Sequence, residues 1–136
     1  MRIESLRVGD ALPERVHEPG AVELFLYNAV LFNGHRIHFD ERYAVEEEGY
    51  PGLVVAGPQQ GEWLAQRVIE WMGDGARLVR FSYQNRRAAY LGERLRATGR
   101  VAAIDAASGE VELELAVRNE VDEVVTPGCA RVRIDP

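Results

Sequence analysis

The hydrophobic pattern changes period halfway along the chain. Between Val22 and Phe32 the apolar residues Val22, Phe25, Leu26, Ala29 and Val30 recur at helical spacing, which predicts a helix. The run ELFLYNAVLF is almost continuously apolar, so a buried strand also fits this stretch. Asp40 precedes ERYAVEEEG, with Glu41 in the first turn and Gly49 beyond the last. These are the start and stop signals of a short helix over 41–48. Pro51 and Gly52 turn the chain into Leu53-Val54-Val55. Gly57 and Pro58 then open the longest predicted helix, 58–72, closed by Gly73. Its apolar stripe is Leu64, Ala65, Val68, Ile69 and Met72, flanked by Trp63 and Trp71. Before all of these, Gly9, Pro13, Pro19 and Gly20 divide residues 1–20 into short extended pieces and turns.

Beyond Gly73 the period becomes that of strands. Arg77–Tyr83, Leu95–Ile104, Val111–Val117 and Ala130–Ile134 are alternating or β-rich, and Ala106-Ala107-Ser108-Gly109 is a hairpin connection. Val111, Leu113, Leu115 and Val117 alternate with Glu112, Glu114 and Arg118, which gives that strand one wet face. Short helices, one long helix and several antiparallel strands predict an α+β fold. No linker or repeat interrupts the 136 residues, so a single domain over 1–136 is expected.

Charge and composition remove several functions. A net charge of −6 argues against general nucleic-acid binding, which needs a basic surface. All sixteen basic residues are arginine, so Schiff-base catalysis through lysine is excluded, while arginine forks remain available for ligand phosphates. Cys129 has no partner for an internal disulfide and is expected to be a small buried apolar residue. No apolar run is long enough to span a bilayer and the first residues are charged, so the expected place is the cytoplasm.

The candidate chemistry concentrates in FNGHRIHFD at 32–40 and EGYPGLVVAGP at 48–58. Histidine suits proton transfer near neutrality, and a helix N-terminus suits a developing negative charge. A histidine that simply hydrogen-bonds inside the fold is an equally good account of His38 on chemistry alone. His35, His38 and Asp40 invite a metal, but their spacing matches no strong zinc signature and nothing completes the shell, so no metal and no cofactor are expected.

FNGHRIHFD, YAVEEEGYPGLVVAGPQQ at 43–60 and FSYQNRRAAYLGERL at 81–95 together resemble the MaoC-like hydratase/dehydratase family of the hotdog fold. The similarity is nearest to its branch of 3-hydroxyacyl-thioester dehydratases and mesaconyl-CoA hydratases, and covers most of the chain from Leu24 onward. The resemblance implies a curved antiparallel sheet around one central helix. It implies reversible addition of water to a trans-2-enoyl thioester of coenzyme A or acyl carrier protein. It implies an edge-to-edge homodimer, or a heterodimer with a second hotdog subunit. His38 stands at the position of the family's catalytic histidine. Asn33 replaces the aspartate of the family's Asp-x4-His, and an amide cannot take a proton in the working pH range. Gly57 is expected to donate its N–H to the thioester oxygen, its missing side chain letting substrate approach. His35, Pro58, Arg86 and Arg87 are expected around the substrate, although Arg86 and Arg87 would face opposite ways if they lie on one strand. Two other activities stay open: a hotdog acyl-thioesterase, and an acyl-thioester-binding subunit without turnover.

Overall fold

A computed structural model of the chain describes residues 2–134; residue 1 and residues 135–136, the ends of the expected 1–136 domain, lie outside it. After a single 3-10 turn at Ile3–Ser5 come strand β1 (Arg15–His17), helix α1 (Ala21–Val30) and a 3-10 turn at Arg36–His38. A π-helical turn at Tyr43–Glu47 and the long helix α2 (Gly57–Met72) follow. Four strands complete the chain: β2 (Ala76–Tyr83), β3 (Leu95–Asp105), β4 (Glu110–Arg118) and β5 (Val124–Ile134). They form one sheet in the order β1-β3-β4-β5-β2, antiparallel throughout.

The region from 21 to 30 is a helix, not a strand, as its helical spacing predicts, with the i,i+4 pair Leu24 and Asn28 on the inward face. Leu24 and Asn28 are buried, whereas Val22 and Val30 stay exposed. Asp40 caps the next helical segment, its Oδ1 accepting the Tyr43 N–H at 3.1 Å, and Gly49 ends it at φ 73°.

Period-two alternation sets the two faces of the sheet. Val111, Leu113, Leu115 and Val117 of β4 are buried against α2, and Val101, Val125 and Val132 join them from neighbouring strands. On the wet face, residues directly opposite across strands carry opposite charge. Arg100 meets Glu114 at 2.5 Å, Arg131 meets Glu112 at 2.7 Å, and Arg133 meets Glu110. Irregular register between Leu78 and Arg80 and between Val101 and Ala103 adds bend, so the sheet curls around the helix.

Three expectations need correction. The buried stripe of α2 is rotated from the predicted one: Leu64 and Val68 are buried as expected, but Ile69 is 52% exposed, and Ala65 and Met72 are only partly covered. In their place Trp63, Gln60 and Arg67 face inward. Gln60 enters because a partner awaits it, whereas Arg67 has the Glu70 carboxylate nearby but leaves its Nε without a hydrogen-bond partner among the described residues. Gln60 Oε1 accepts from Thr126 Oγ1 at 2.8 Å, and Arg67 Nη2 lies 2.5 Å from Glu70 Oε2. Cys129 is exposed rather than buried, since the alternation of β5 puts it opposite Glu114 on the wet face, with Sγ 3.1 Å from Ser82 Oγ. Finally, β5 begins at Val124, earlier than its apolar end suggests, and runs through Pro127 and Gly128. A side chain at Gly128 would meet Ser82 O at 3.0 Å and Leu64 Cδ1 at 3.1 Å, so this bare position lets the sheet close on α2.

Leu64→Ala is expected to cost about 2–5 kcal/mol and Ile69→Ala less than about 1 kcal/mol in denaturant unfolding. Equal losses would place the buried face of α2 elsewhere.

Candidate active site

Asn33 is held by a polar chain that begins on α1. Asn28, 1% exposed, donates from Nδ2 to Leu24 O at 2.7 Å and accepts from Asn33 Nδ2 at 2.9 Å. Asn33 Oδ1 in turn accepts the His35 N–H at 3.2 Å. The turn that delivers Asn33 includes Phe32 at φ 52°, a left-handed conformation that disfavours a residue with a side chain by roughly 1–2 kcal/mol. The Asn33 N–H closes this turn on Asn28 O at 2.9 Å. These bonds leave one amide N–H and one oxygen lone pair of Asn33 uncommitted. A groove of about 330 Å³, lined by Phe25, Asn28, Phe32, Asn33 and Phe39 among others, opens beside it.

His38 is buried at 7% exposure, and its Nδ1 lies 2.7 Å from Val54 O. A carbonyl oxygen can only accept, so Nδ1 carries the proton and Nε2 keeps its lone pair. Burial holds His38 below the usual imidazole pKa; the Val54 carbonyl opposes that shift and His35 adds to it. The folded protein therefore presents a neutral imidazole near pH 7. A second bond, Val54 N–H to Ile37 O at 2.9 Å, fastens the 36–38 turn to the segment that enters α2 three residues later. His35 is exposed and stands edge-on to His38, ring centroids 5.8 Å apart. Asp40 is engaged by Arg36 at 2.8 Å and by the Tyr43 N–H, so its part is in capping and surface pairing.

Helix α2 starts without a side-chain cap: Ala56 precedes it, Gly57 is its first residue and Pro58, exposed, its second. The N–H groups of Gly57 and Gln59 have no hydrogen-bond acceptor among the described residues, so the positive end of the helix stays open. Gln59 Nε2 donates to Glu23 at 2.6 Å and ties this end to α1.

The space above Gly57 differs from expectation. A Cβ there would lie 2.3 Å from Asn85 Oδ1, so a side chain of the protein, not open room for substrate, occupies it. Arg86 and Arg87 also depart from expectation: they lie in the loop after β2, both N–H groups donating to Val125 O, and the opposite-face rule for strands does not apply. Both are exposed. Arg87 pairs with Glu123 at 3.2 Å, and Arg86 reaches only Gln84. The hydrophobic pattern does not single out Asn28, Asn85 or Thr126; the adjacent glutamines at 59 and 60 of α2 are the visible sign of buried polar partners.

Among the described residues no three His, Cys, Asp or Glu side chains converge as a metal shell would. Among the described residues no helix is long and apolar enough to cross a membrane.

A five-stranded antiparallel sheet curled around one long helix, with a histidine turn bound to the segment before that helix, defines a hotdog protein. The profile of the hydroxyacyl-thioester dehydratase type 2 family matches residues 7–91, and the chain belongs to that family. Mesaconyl-C(4)-CoA hydratase of Chloroflexus aurantiacus is 52% identical over 56 residues, 41% of this chain and 20% of that protein. The mitochondrial hydroxyacyl-thioester dehydratase type 2 of Schizosaccharomyces pombe is 44% identical over 43 residues, 32% of this chain and 14% of that protein. The match thus spans a fifth or less of the length of these relatives. Among solved structures, the (R)-hydratase from A. caviae involved in PHA biosynthesis superposes with a TM-score of 0.86 at 18% identity, covering 96% of this chain and 98% of that one, a likeness of fold.

The His38 ring is expected to titrate below 6.5 and to show the Nδ1–H tautomer in nitrogen-detected NMR at pH 7. Protonation is easier in the unfolded chain, so the contribution of His38 to stability is lost as pH falls below 6.5. A midpoint above 6.5 would contradict the buried, Val54-bonded ring.

Proposed function

We propose that this chain catalyses the reversible hydration of a trans-2-enoyl thioester to a 3-hydroxyacyl thioester. The observation that carries the proposal is the His38–Val54 bond, which aims a neutral imidazole away from Nδ1 and leaves Nε2 as a base. In the hydration direction, Nε2 removes a proton from water as the water oxygen bonds to C3. The C2–C3 π pair shifts toward the thioester, whose oxygen takes the negative charge. Gly57 N–H, at the open end of α2, donates to that oxygen, and the helix dipole favours the charge. The enolate then collapses and C2 takes the proton from His38, which returns to its neutral form. Water is consumed, nothing is oxidised or reduced, and one histidine serves as base and then acid.

Asn33 cannot act as a second base. Its free N–H and lone pair suit it to orient the attacking water. His35 and Pro58 stand beside these groups in the chain and contact the acyl thioester. Arg86, which has no carboxylate partner among the described residues, is better placed than Arg87 to take a phosphate of the carrier.

A second hotdog subunit, identical or separately encoded, completes the unit. Strand β2 supports this: it is an edge strand of eight residues with Val79 and Tyr83 exposed, and its outer hydrogen-bonding side is open. Pairing along it would extend the sheet across two subunits.

His38→Ala is expected to lower turnover about 10²–10⁴-fold with the fold retained. Loss of enoyl absorbance, followed beside a free-thiol assay, checks it. Release of thiol without loss of the enoyl chromophore would replace hydration by thioester hydrolysis.

A further inference from the structure

We infer that Asn85 is a positioning residue for the start of α2, and that residue 57 is glycine to admit Asn85. This inference rests on Gly57 N–H being the oxyanion donor. The side chain of Asn85 covers Gly57: a Cβ at 57 would come within 2.3 Å of Oδ1 and 2.8 Å of Cγ. Its amide is not free to swing aside at no cost. Nδ2 donates to Thr126 Oγ1 at 2.9 Å and reaches Gly57 O at 3.4 Å. Thr126, fully buried on β5, passes its own hydrogen to Gln60 Oε1 at 2.8 Å, and Gln60 is 2% exposed. Asn85 is therefore bolted to β5 and, through it, to the first turn of α2.

One helical turn later the same contact repeats. A Cβ at Gly61 would lie 2.3–2.8 Å from the Tyr83 ring. Glycines at 57 and 61 share one helix face and form a notch, into which the outgoing end of β2 sets Tyr83 and then Asn85.

The local sequence explains why such a clamp is needed. Ala56 has no side-chain acceptor, Gly57 has the freest backbone of any residue, and Pro58 has no N–H. Nothing in Ala-Gly-Pro holds the Gly57 peptide at one angle. A capping serine or aspartate would hold it, but by accepting the N–H groups the reaction needs. Asn85 reaches the same turn from the loop after β2, through the carbonyl side, and leaves the N–H side open.

Four variants test this. Gly57→Ala should lower the thermal midpoint by about 5 °C or more, and adding Asn85→Ala should restore at least half of that loss. Asn85→Ala alone should lower kcat about tenfold with KM within about threefold. Asn85→Asp puts a carboxylate beside the helix N-terminus, which favours the helix but opposes a negative thioester oxygen. It also removes the Nδ2 donor to Thr126, so it should match Asn85→Ala in thermal midpoint to within about 2 °C while lowering kcat at least tenfold below Asn85→Ala, a divergence that a purely structural role would not produce. A double variant no more stable than Gly57→Ala would overturn the packing claim. Unchanged kcat in both Asn85 variants would overturn the positioning role while hydration by the wild type stands. No hydration by the wild type would remove the reaction, and the positioning role with it, while the stability measurements still judge the Gly57–Asn85 contact.

Discussion

The bond from His38 Nδ1 to Val54 O is the joint on which the site depends. It settles three things at once: which ring nitrogen carries the proton, which way the ring faces, and how far the histidine turn lies from the segment entering α2. The reciprocal bond from Val54 N–H to Ile37 O makes the joint two-point, so the turn cannot pivot about one contact. Burial lowers the ring's pKa, and an opposing carbonyl keeps the shift in check. The His38 ring is thereby neutral near pH 7 and still within reach of protonation.

The rest of the molecule serves this joint by fixing what lies on either side of it. On one side, Asn28 locks Asn33 through a buried amide pair at the end of α1, and a left-handed Phe32 turns the chain back toward the histidines. Strain in one residue is tolerable because the turn is closed by the Asn33 N–H. On the other side, the curled sheet encloses α2 and delivers Asn85 and Tyr83 against two glycines. An uncapped helix start that is held from outside reconciles rigidity with free N–H groups.

Much of this was legible from residue order. The helix at Asp40, the start of α2 near Gly57, the 106–109 hairpin and the wet face of β4 all follow from caps, turn residues and alternation. His38 stood out through the resemblance, since its chemistry alone fitted a structural histidine equally well. What misled was judging burial by hydrophobicity alone. Ile69 points to solvent and Arg67 does not, because the sheet's wrap, not the residue's apolarity, decides which side of α2 is covered. Cys129 follows the same logic: a small apolar residue on the wet phase of a strand remains outside.

Sequence by itself determined most of the elements and the α+β class, because caps, turn residues and period are local properties, while the resemblance of its motifs supplied the hotdog fold. Tertiary structure alone decided that His38 is bonded to Val54, that Arg86 and Arg87 sit in a loop, and that glycine at 57 makes room for Asn85. Each of these pairs residues 16 to 41 positions apart or reflects where a strand stops. Contacts across such separations exist only once the sheet has closed on the helix, and no local pattern carries them.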